Sequence, residues 1–445
     1  MIPFRDALRT WGLISLQTFG GPAGQIAVMQ RVLVDEKRWI GQSRFLHALN
    51  FCMLLPGPEA QQLAIYTGWL LNGLRGGLAA GVLFVLPGAV TLLALSSLYV
   101  ALGETELVDA LFVGLAPAVI AIVVQALVRI STRALFAPSL VGIAVSAFVA
   151  LSVFGVPFPV VVLGAAVAGW LLGRLHPATG RNARPDVTAE PVALIPDDQL
   201  HAAKPSKRRS VVILLVGLML WGGPVIAAAV LTSRDSVFVD QGLFFSGAAL
   251  VTFGGAYAVL SYVAQEAVAG YGWLAPGEMV RGLALAETTP GPLIMVVQFV
   301  AFLGAFRDPG GLNPWLAAVV GSLLTTWVTF VPCFLFILLG APYVERLRHN
   351  KQLSAALTGI TAAVVGVIAN LAVYFGLHTL FADTRRLELG PASLESPVFA
   401  SVQWIELAVA LLAALLIFRR RWSVLRTLGV CAVVGPAFYL AVQAV

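Results

Sequence analysis

Long apolar runs separated by short polar segments occupy nearly the whole chain. Six of them are predicted in its first part, at about 4–34, 43–73, 76–101, 107–128, 138–156 and 158–174. Six more follow in its second part, at about 238–268, 277–306, 314–340, 353–379, 398–418 and 424–443. Runs of about 20 apolar residues are long enough to cross the hydrocarbon layer of a bilayer, which is ~30 Å thick. The pattern therefore predicts an all-α polytopic membrane protein.

A polar linker and one additional apolar segment lie between the two sets. Residues 175–210 contain five prolines and charges of both signs, which is typical of a flexible connector. Val211 to Leu231 is apolar and has no counterpart in the first set. We therefore predict 13 hydrophobic segments in four regions: a first repeat over 1–174, a cytoplasmic linker over 175–210, an extra transmembrane helix over 211–231, and a second repeat over 232–445.

The two sets share a pattern of helix-breaking residues. Phe19-Gly20-Gly21 and Pro56-Gly57-Pro58 recur 234 residues later as Phe253-Gly254-Gly255 and Pro290-Gly291-Pro292. A second spacing of 245 residues relates Pro87 to Pro332. Duplicated helix breaks inside a very apolar chain are typical of secondary transporters built from repeats. Because the extra segment adds one crossing between the sets, the repeats are predicted to have inverted topology.

Composition agrees with a membrane protein and narrows the chemistry. The chain is 59% hydrophobic and 11% charged with a mean hydropathy of +0.90, whereas soluble proteins carry about 25% charged residues. The net charge of +6 comes from bases that flank apolar segments, so it indicates membrane orientation and no nucleic-acid partner. Cys52, Cys333 and Cys431 lie within apolar segments, and the five histidines show no metal-binding spacing. No metal, cofactor, nucleotide-binding motif or hydrolase motif is predicted, which favours a transporter over an enzyme.

With the N-terminus in the cytoplasm, the basic loops lie inside, so the distribution of charge predicts a cytoplasmic N-terminus and a C-terminus on the outside. Two loops disagree if every segment crosses. Residues 31–44 have net charge +2 and would lie outside, while their counterpart 265–281 has net charge −1 and would lie inside. Both loops would change sides if the first two segments of each repeat were re-entrant hairpins. The sequence leaves crossing and re-entrant geometry open.

The helix breaks are the predicted binding site for an anion. A half-helix that begins at mid-membrane offers free N–H groups and a partial positive charge. The alternative at each break is a simple packing kink. The residues predicted to line the site are Gly20, Gly21, Gln25, Pro56, Gly57, Pro58, Gln61, Gln62, Gly254, Gly255, Thr288, Thr289, Pro290, Gly291 and Pro292.

Charged residues near the breaks suggest two further roles. Glu59 and Glu287 are candidates for a coupling proton site, since ionisable groups at membrane depth are usually functional. Glu59 in a first helical turn would also stabilise the helix dipole without any coupling role. Arg31, Lys37, Arg38 and Arg44 would attract anions to the cytoplasmic mouth, or they serve only orientation and headgroup contact.

The chain resembles the chromate ion transporter (CHR) family, and within it the long, two-domain bacterial ChrA-type members. The similarity covers the cores of both repeats and leaves out the linker and the last two segments. The stretches that carry it are FGGPAGQIAVM (19–29), LLPGPEAQQLAIYTGW (54–69), LFVLPG (83–88), TFGGAYAVL (252–260), ETTPGPLIMVVQF (287–299) and TWVTFVPCFLFILLGAPYVERL (326–347).

The resemblance implies export of chromate from the cytoplasm, and hence chromate resistance, by a secondary transporter of two oppositely oriented domains. Membrane potential could drive export, with or without protons. Sulfate or another tetrahedral oxyanion is the alternative substrate, and an anion channel is the alternative of another class. The lipid bilayer is the expected surrounding, and a homodimer is left open, as are the coupling ion and its stoichiometry.

Overall fold

The apolar segments form helices, and a computed structural model describes them over residues 2–102, 105–175, 200–201, 206–253, 255–343, 351–390 and 392–443. The helices up to the linker are α1 (Phe4–Ser15), α2 (Gly21–Gln30), α3 (Gln42–Cys52), α4 (Glu59–Leu102), α5 (Glu106–Ala134), α6 (Pro138–Ser152) and α7 (Phe158–Leu175). Those after it are α8 (Lys207–Leu231), α9 (Val237–Val251), α10 (Ala256–Gln265), α11 (Glu278–Thr288), α12 (Val296–Arg307), α13 (Pro314–Gly340), α14 (Lys351–Leu380), α15 (Trp404–Ala414) and α16 (Val424–Gln443). The predicted all-α membrane architecture is confirmed, since six helices are long and apolar enough to cross a membrane in the described part of the chain.

The chain divides into two units, and each takes residues from both repeats. Unit 1 comprises 1–93, 176–256 and 289–354, and unit 2 comprises 94–175, 257–288 and 355–445. In unit 1, α13 packs against α8, α9 and α12. In unit 2, α5 packs against α11, α15 and α16, and α6 packs against α7. The helix breaks of both repeats, except for the residues that precede Thr289, therefore belong to unit 1.

Each of the first two segments in either repeat is interrupted at the predicted glycines and prolines. Gly20 and Gly21 have φ values of 78° and 73°, and α2 begins at Gly21. Proline has no N–H and glycine adopts positive φ, so both residues end a helix for local reasons. A π-helical turn follows α2 at Arg31–Glu36, and another follows α10 at Glu266–Gly270. The 234-residue spacing therefore relates whole elements as well as motifs.

Helix α4 is a helical hairpin. Asn72 and Gly73 have non-helical backbone angles and separate a short arm, 59–71, from a long arm, 74–102. The arms run antiparallel and touch, because a Cβ added at Gly68 would lie 2.5 Å from the carbonyl oxygen of Gly76. Two separate segments meeting near residue 75 were predicted. The long arm is about 43 Å long, which is enough to cross a bilayer.

The loop after α2 runs back alongside α1, from Gln17 just past the end of that helix to Asp6 in its first turn. Arg31 Nη2 donates a hydrogen bond to Gln17 Oε1 at 2.7 Å, although 14 residues separate them. Lys37 and Trp39 line a cavity of about 510 Å³ together with Asp6 and Arg9 of α1. A chain that continued in one direction through the break would carry Lys37 far from Asp6. Segments α1 and α2 therefore form a helical hairpin, with Gly20 at its tip.

The second segment has the same geometry. α3 begins at Gln42, whose Oε1 accepts a hydrogen bond from Gln30 Nε2 at 3.2 Å. The short arm of α4 ends at Asn72, whose Nδ2 donates to the carbonyl oxygen of Ile2 at 2.8 Å. Both ends of the segment thus lie beside the N-terminus, and Pro56-Gly57-Pro58 is the tip. The second segment of the first repeat is therefore also a helical hairpin.

In unit 2, the loop that corresponds to 31–44 lies near the end of the long arm of α4. Tyr99 Oη donates to Glu278 Oε1 at 3.3 Å, and Arg281 Nη1 lies 3.0 Å from Asp109 Oδ1 near the start of α5.

A β-hairpin after α14 was not predicted. β1 (Thr384–Leu389) pairs antiparallel with β2 (Ala392–Pro397), and Thr384 is opposite Pro397. The hairpin delays the next helix, so α15 begins at Trp404, six residues after the predicted 398. α6 and α15 begin 266 residues apart, which is 21 more than the 245 that relates earlier positions. The insertion therefore changes the spacing that relates the last two helices of each repeat.

The extra helix and the end of the linker differ in detail from the prediction. α8 begins at Lys207, four residues before the predicted start. Residues 176–199 and 202–205 of the linker lie outside the described residues. His201 donates its backbone N–H to the carbonyl oxygen of Leu70 at 2.7 Å, and its ring contacts Trp69 edge-on at 4.8 Å. Burial, with a smaller effect of Arg209, lowers the pKa of His201. The end of the linker is therefore packed on the first repeat.

Candidate functional site

The two Pro-Gly-Pro motifs exchange hydrogen bonds with the opposite repeat. Gly57 donates its N–H to the carbonyl oxygen of Thr252 at 2.7 Å, and Gly291 donates its N–H to the carbonyl oxygen of Thr18 at 2.8 Å. Thr18 and Thr252 directly precede the two Phe-Gly-Gly motifs and are themselves 234 residues apart. All four residues lie in unit 1. The motifs thus meet in pairs, each against the other repeat.

The same exchange has a consequence for anion binding. The N–H groups of Gly57 and Gly291 already donate to protein carbonyls in this structure. Donors for a ligand must therefore come from the helical turns that follow and from side chains. The glycines contribute their conformation, with φ values of 113° at Gly57 and 109° at Gly291.

Each motif also contacts a helix of the other repeat at its internal proline. A Cβ added at Gly57 would lie 2.8 Å from Cys333 Sγ on α13, and one added at Gly291 would lie 3.3 Å from Gly88 Cα on α4. Cys333 follows Pro332, and Gly88 follows Pro87, at the 245-residue spacing. Gly88 is the central residue of the long arm, 74–102, so the second motif lies near half the depth of that helix.

The motifs open new helices, as predicted. α4 begins directly after Pro58, and its first helical bond runs from the N–H of Gln62 to the carbonyl oxygen of Pro58 at 3.0 Å. A 3-10 turn, Leu293–Met295, follows Pro292 and leads into α12. The first N–H groups of such helices have no partner within the helix. Gly255 has a φ of 108°, and Gly254 lies outside the described residues.

Three predicted glutamines lie at the motifs. Gln25 Nε2 donates to the carbonyl oxygen of Gly291 at 2.5 Å, and Gln62 Nε2 donates to the carbonyl oxygen of Pro56 at 2.6 Å. Gln61 is fully buried, and neither its amide nitrogen nor its amide oxygen has a partner. Thr289 is buried, whereas the hydroxyl of Thr288 donates to the carbonyl oxygen of Leu285 at 2.7 Å. Gln61 is therefore the predicted residue with the most unused hydrogen-bonding capacity.

The two candidate coupling residues differ in their surroundings. Glu287 is 2% exposed, its Oε1 accepts a hydrogen bond from the Tyr257 hydroxyl at 2.6 Å, and its Oε2 has no partner. Both residues lie in unit 2. Glu59 is half-buried in the first turn of α4. Glu287 is therefore the more deeply buried of the two carboxyl groups, and one of its oxygens has no hydrogen-bond partner among the described residues.

The predicted basic residues lie on the loop beside α1. Arg31, Lys37 and Arg38 are exposed, and Arg44 is half-buried on α3. Arg31 Nε lies 3.4 Å from Glu36 Oε1, and Lys37 Nζ lies 5.6 Å from the centre of the Trp39 ring. Exposed pairs of this kind contribute little stability. The charge of the loop remains available to attract anions.

Sequence reasoning missed Tyr257 and three buried residues of unit 1. Gln241 Oε1 and the hydroxyls of Thr325 and Thr329 have no partner, and all three residues are at most 2% exposed. At the 245-residue spacing, Thr325 and Thr329 correspond to Ala80 and Phe84. Polar residues in the second repeat thus replace apolar residues of the first. A comparison of the two repeats at this spacing could have identified them from the sequence.

The family model described as chromate transporter matches residues 5–170 and 239–436. A chromate transport protein of Pseudomonas aeruginosa is 35% identical over 362 residues, which cover 79% of this chain and 76% of the relative. A chromate transport protein of Cupriavidus metallidurans is 28% identical over 366 residues, covering 81% of this chain and 80% of the relative. A probable chromate transport protein of Synechococcus elongatus is 27% identical, covering 81% and 82%. No solved structure matches the chain.

Proposed function

Because the chain belongs to the chromate transporter family, we propose that it exports chromate from the cytoplasm across the inner membrane as a secondary transporter and so confers chromate resistance. The observation that carries this proposal is the pair of Pro-Gly-Pro breaks. They are joined to opposite repeats by the Gly57 and Gly291 hydrogen bonds, and each is followed by the start of a helix. Paired discontinuous helices at mid-depth are the usual binding architecture of secondary transporters.

The proposed orientation puts the N-terminus in the cytoplasm. Loop 31–44, which lies beside the N-terminus, is then cytoplasmic with a net charge of +2. Loop 265–281, the counterpart of 31–44 in the inverted second repeat, is then periplasmic with a net charge of −1. Re-entrant hairpins thus remove the disagreement with the positive-inside rule. The C-terminus is periplasmic by the same reasoning.

The asymmetry of the two loops supports export. Arg31, Lys37 and Arg38 correspond to Gln265, Tyr271 and Gly272, so the basic charge is present in one repeat only. A basic cytoplasmic mouth concentrates dianions where they are captured, and a mouth of opposite sign releases them.

The energetics are sufficient for export without another ion. Moving one elementary charge through the membrane potential is worth about 2.3 kcal/mol per 100 mV. Two negative charges that leave an inside-negative cell gain about 4.6 kcal/mol per 100 mV. Glu287, buried against Tyr257, is the proposed carrier if a proton takes part; Glu59 at the α4 break is the other candidate.

The test is uptake of radiolabelled chromate by everted membrane vesicles, in which the cytoplasmic face is outside. An interior-positive potential set with potassium and valinomycin should drive uptake, and vesicles from cells with an empty vector serve as the control. Uptake no greater than in the control would refute the proposal. Gly291→Leu should abolish uptake while leaving protein in the membrane, because the larger side chain has no room beside Gly88.

Two alternatives have distinct signatures in the same assay. If sulfate is the physiological substrate, then unlabelled sulfate should compete with chromate more strongly than chromate competes with itself. An anion channel would give non-saturating flux and single-channel currents in planar bilayers. Saturation of uptake and the absence of such currents would exclude the channel.

A further inference from the structure

The interior of unit 1 contains buried polar side chains that have no hydrogen-bond partner among the residues that the structure describes. Gln61 has two unpartnered amide atoms, and the hydroxyls of Thr325 and Thr329 have no partner. All three residues are at most 2% exposed. Leaving a buried donor unsatisfied is unfavourable, so such groups usually have a ligand or ordered water as partner.

The two threonines differ from other threonines in the helices of this protein. Thr67, Thr91 and Thr361 donate their hydroxyls to the carbonyl oxygen four residues earlier, at distances of 2.6 to 2.8 Å. Thr326, the direct neighbour of Thr325, does the same toward Ser322 at 2.8 Å. Such back-bonding is the ordinary way to satisfy a helical threonine. Thr325 and Thr329 do not use it.

The position of the threonines on α13 connects them with the breaks. Ser322, Thr325, Thr329 and Cys333 follow one another at spacings of three and four residues, so they share one face of the helix. At one end of this face, the Ser322 hydroxyl donates to the carbonyl oxygen of Gln298 on α12 at 3.2 Å. At the other end, Cys333 lies against Gly57. The threonines therefore lie between α12, which the second break opens, and the first break, where Gln61 is located.

The charge of the interior restricts what such a set can bind. In the part of the chain that the structure describes, Glu287 is the only fully buried charged residue, and no buried lysine, arginine or histidine is present. An anion inside unit 1 must therefore be held by neutral donors and by the first turns of helices. Binding of oxyanions at helix N-termini by neutral groups is a known arrangement.

We propose that Thr325 and Thr329 of α13, together with Gln61 of α4, donate the hydrogen bonds that recognise a tetrahedral oxyanion at the breaks. The proposal rests on the transport function above and adds residues of the second repeat that have no equivalent in the first. The site is consequently asymmetric: the first repeat supplies the helix start and the amide, and the second supplies two hydroxyls. Thr325 and Thr329 would thus each select for oxyanions through a hydroxyl that donates a hydrogen bond.

The test is the KM for labelled chromate in everted vesicles. Thr325→Val and Thr329→Val keep the shape of the side chain and remove the donor. Each should raise KM between about 10-fold and 100-fold, the effect of losing one hydrogen bond to a charged ligand. Thr325→Ser and Thr329→Ser restore a hydroxyl and should keep KM within about threefold of the wild type. Thr326→Val is the matched control, because its hydroxyl is used within α13, and it should leave KM unchanged.

The outcomes separate this inference from the proposed function. If wild-type vesicles take up chromate and the valine variants of Thr325 and Thr329 have normal KM, the inference is wrong and the function stands. A second measurement does not require transport: chromate, sulfate and molybdate are titrated against the thermal stability of the purified protein. Stabilisation of the wild type that shifts to at least tenfold higher oxyanion concentration in Thr325→Val supports the site. Equal stabilisation of both proteins, or none of the wild type, overturns it.

Discussion

Gly57→Ala should destabilise the protein by two separable effects, backbone strain and a steric clash. The φ of 113° at Gly57 is one that residues with a Cβ rarely adopt, and holding such a residue there costs about 1–3 kcal/mol. The added Cβ would also lie 2.8 Å from Cys333 Sγ and 3.0 Å from Gln62 Nε2. Overpacking of this kind costs about 1–3 kcal/mol more. The expected total is about 2–6 kcal/mol.

Two variants separate these effects. Gly255 has nearly the same φ, 108°, and nothing within 4 Å of an added Cβ, so Gly255→Ala should show only the strain of about 1–3 kcal/mol. Cys333→Ala removes the sulfur that the new methyl group meets. In a double-mutant cycle, Gly57→Ala and Cys333→Ala should therefore couple favourably by about 1–3 kcal/mol.

The measurement is unfolding of the purified protein in mixed micelles over a denaturant titration, with uptake of chromate in parallel. Gly57→Ala should lower uptake as well, because relief of the strain rotates the peptide and breaks the 2.7 Å bond to Thr252. A coupling energy below about 0.5 kcal/mol is within ordinary additivity. Such a value, or equal losses in Gly57→Ala and Gly255→Ala, would show that the motif does not pack tightly against α13.

Three further predictions concern charge and topology. Glu287→Gln should flatten the pH dependence of uptake if this residue carries a proton, and an unchanged pH profile of KM and maximal rate would remove it as the carrier. In a background without native cysteines, a single cysteine at Lys37 should react with an impermeant maleimide from the cytoplasmic face, and one at Tyr271 from the periplasmic face; the reverse assignment of faces would show that the segments cross and would contradict the re-entrant geometry. Neutralising Arg31, Lys37 and Arg38 with glutamine should raise KM several-fold at low ionic strength and much less at 1 M salt, where charges are screened beyond about 3 Å; a salt-independent effect would argue against electrostatic attraction.

Local features of the fold were predictable, because they depend on individual residues. Glycine and proline end helices for reasons of backbone geometry, so the breaks at Gly20, Gly57 and Gly291 and the division of α4 near Gly73 follow from the sequence. The β-hairpin was missed because its charged residues, such as Arg386 and Glu395, were interpreted as a polar loop. Their alternation with Leu387 and Leu394 is a strand pattern.

Tertiary features were less accessible. Re-entrant and crossing segments have the same hydrophobic pattern, and only contacts such as that between Asn72 and Ile2 separate them. The hydrogen bonds that join the repeats are accepted by the backbone carbonyl oxygens of Thr18 and Thr252. Every residue has such a carbonyl, so the amino-acid sequence does not indicate which ones accept these bonds. Thr325 and Thr329 are ordinary components of a membrane helix until their unsatisfied hydroxyls are seen in place.

The exchanged hydrogen bonds set a small barrier for movement of one repeat against the other. A typical hydrogen bond contributes about 0.5–1.5 kcal/mol net, whereas two charges moving through 100 mV gain about 4.6 kcal/mol. Opening one of these hydrogen bonds in each transport cycle is therefore well within the available energy. We expect Pro56-Gly57-Pro58 to separate from α13 when the bond between Gly57 and Thr252 opens. Cys333, fully buried against Gly57, provides a native reporter of that movement. In a variant that lacks Cys52 and Cys431, labelling of Cys333 by a permeant maleimide should accelerate when chromate and potential are both present, and a rate that stays constant would mean that the motif remains closed during transport.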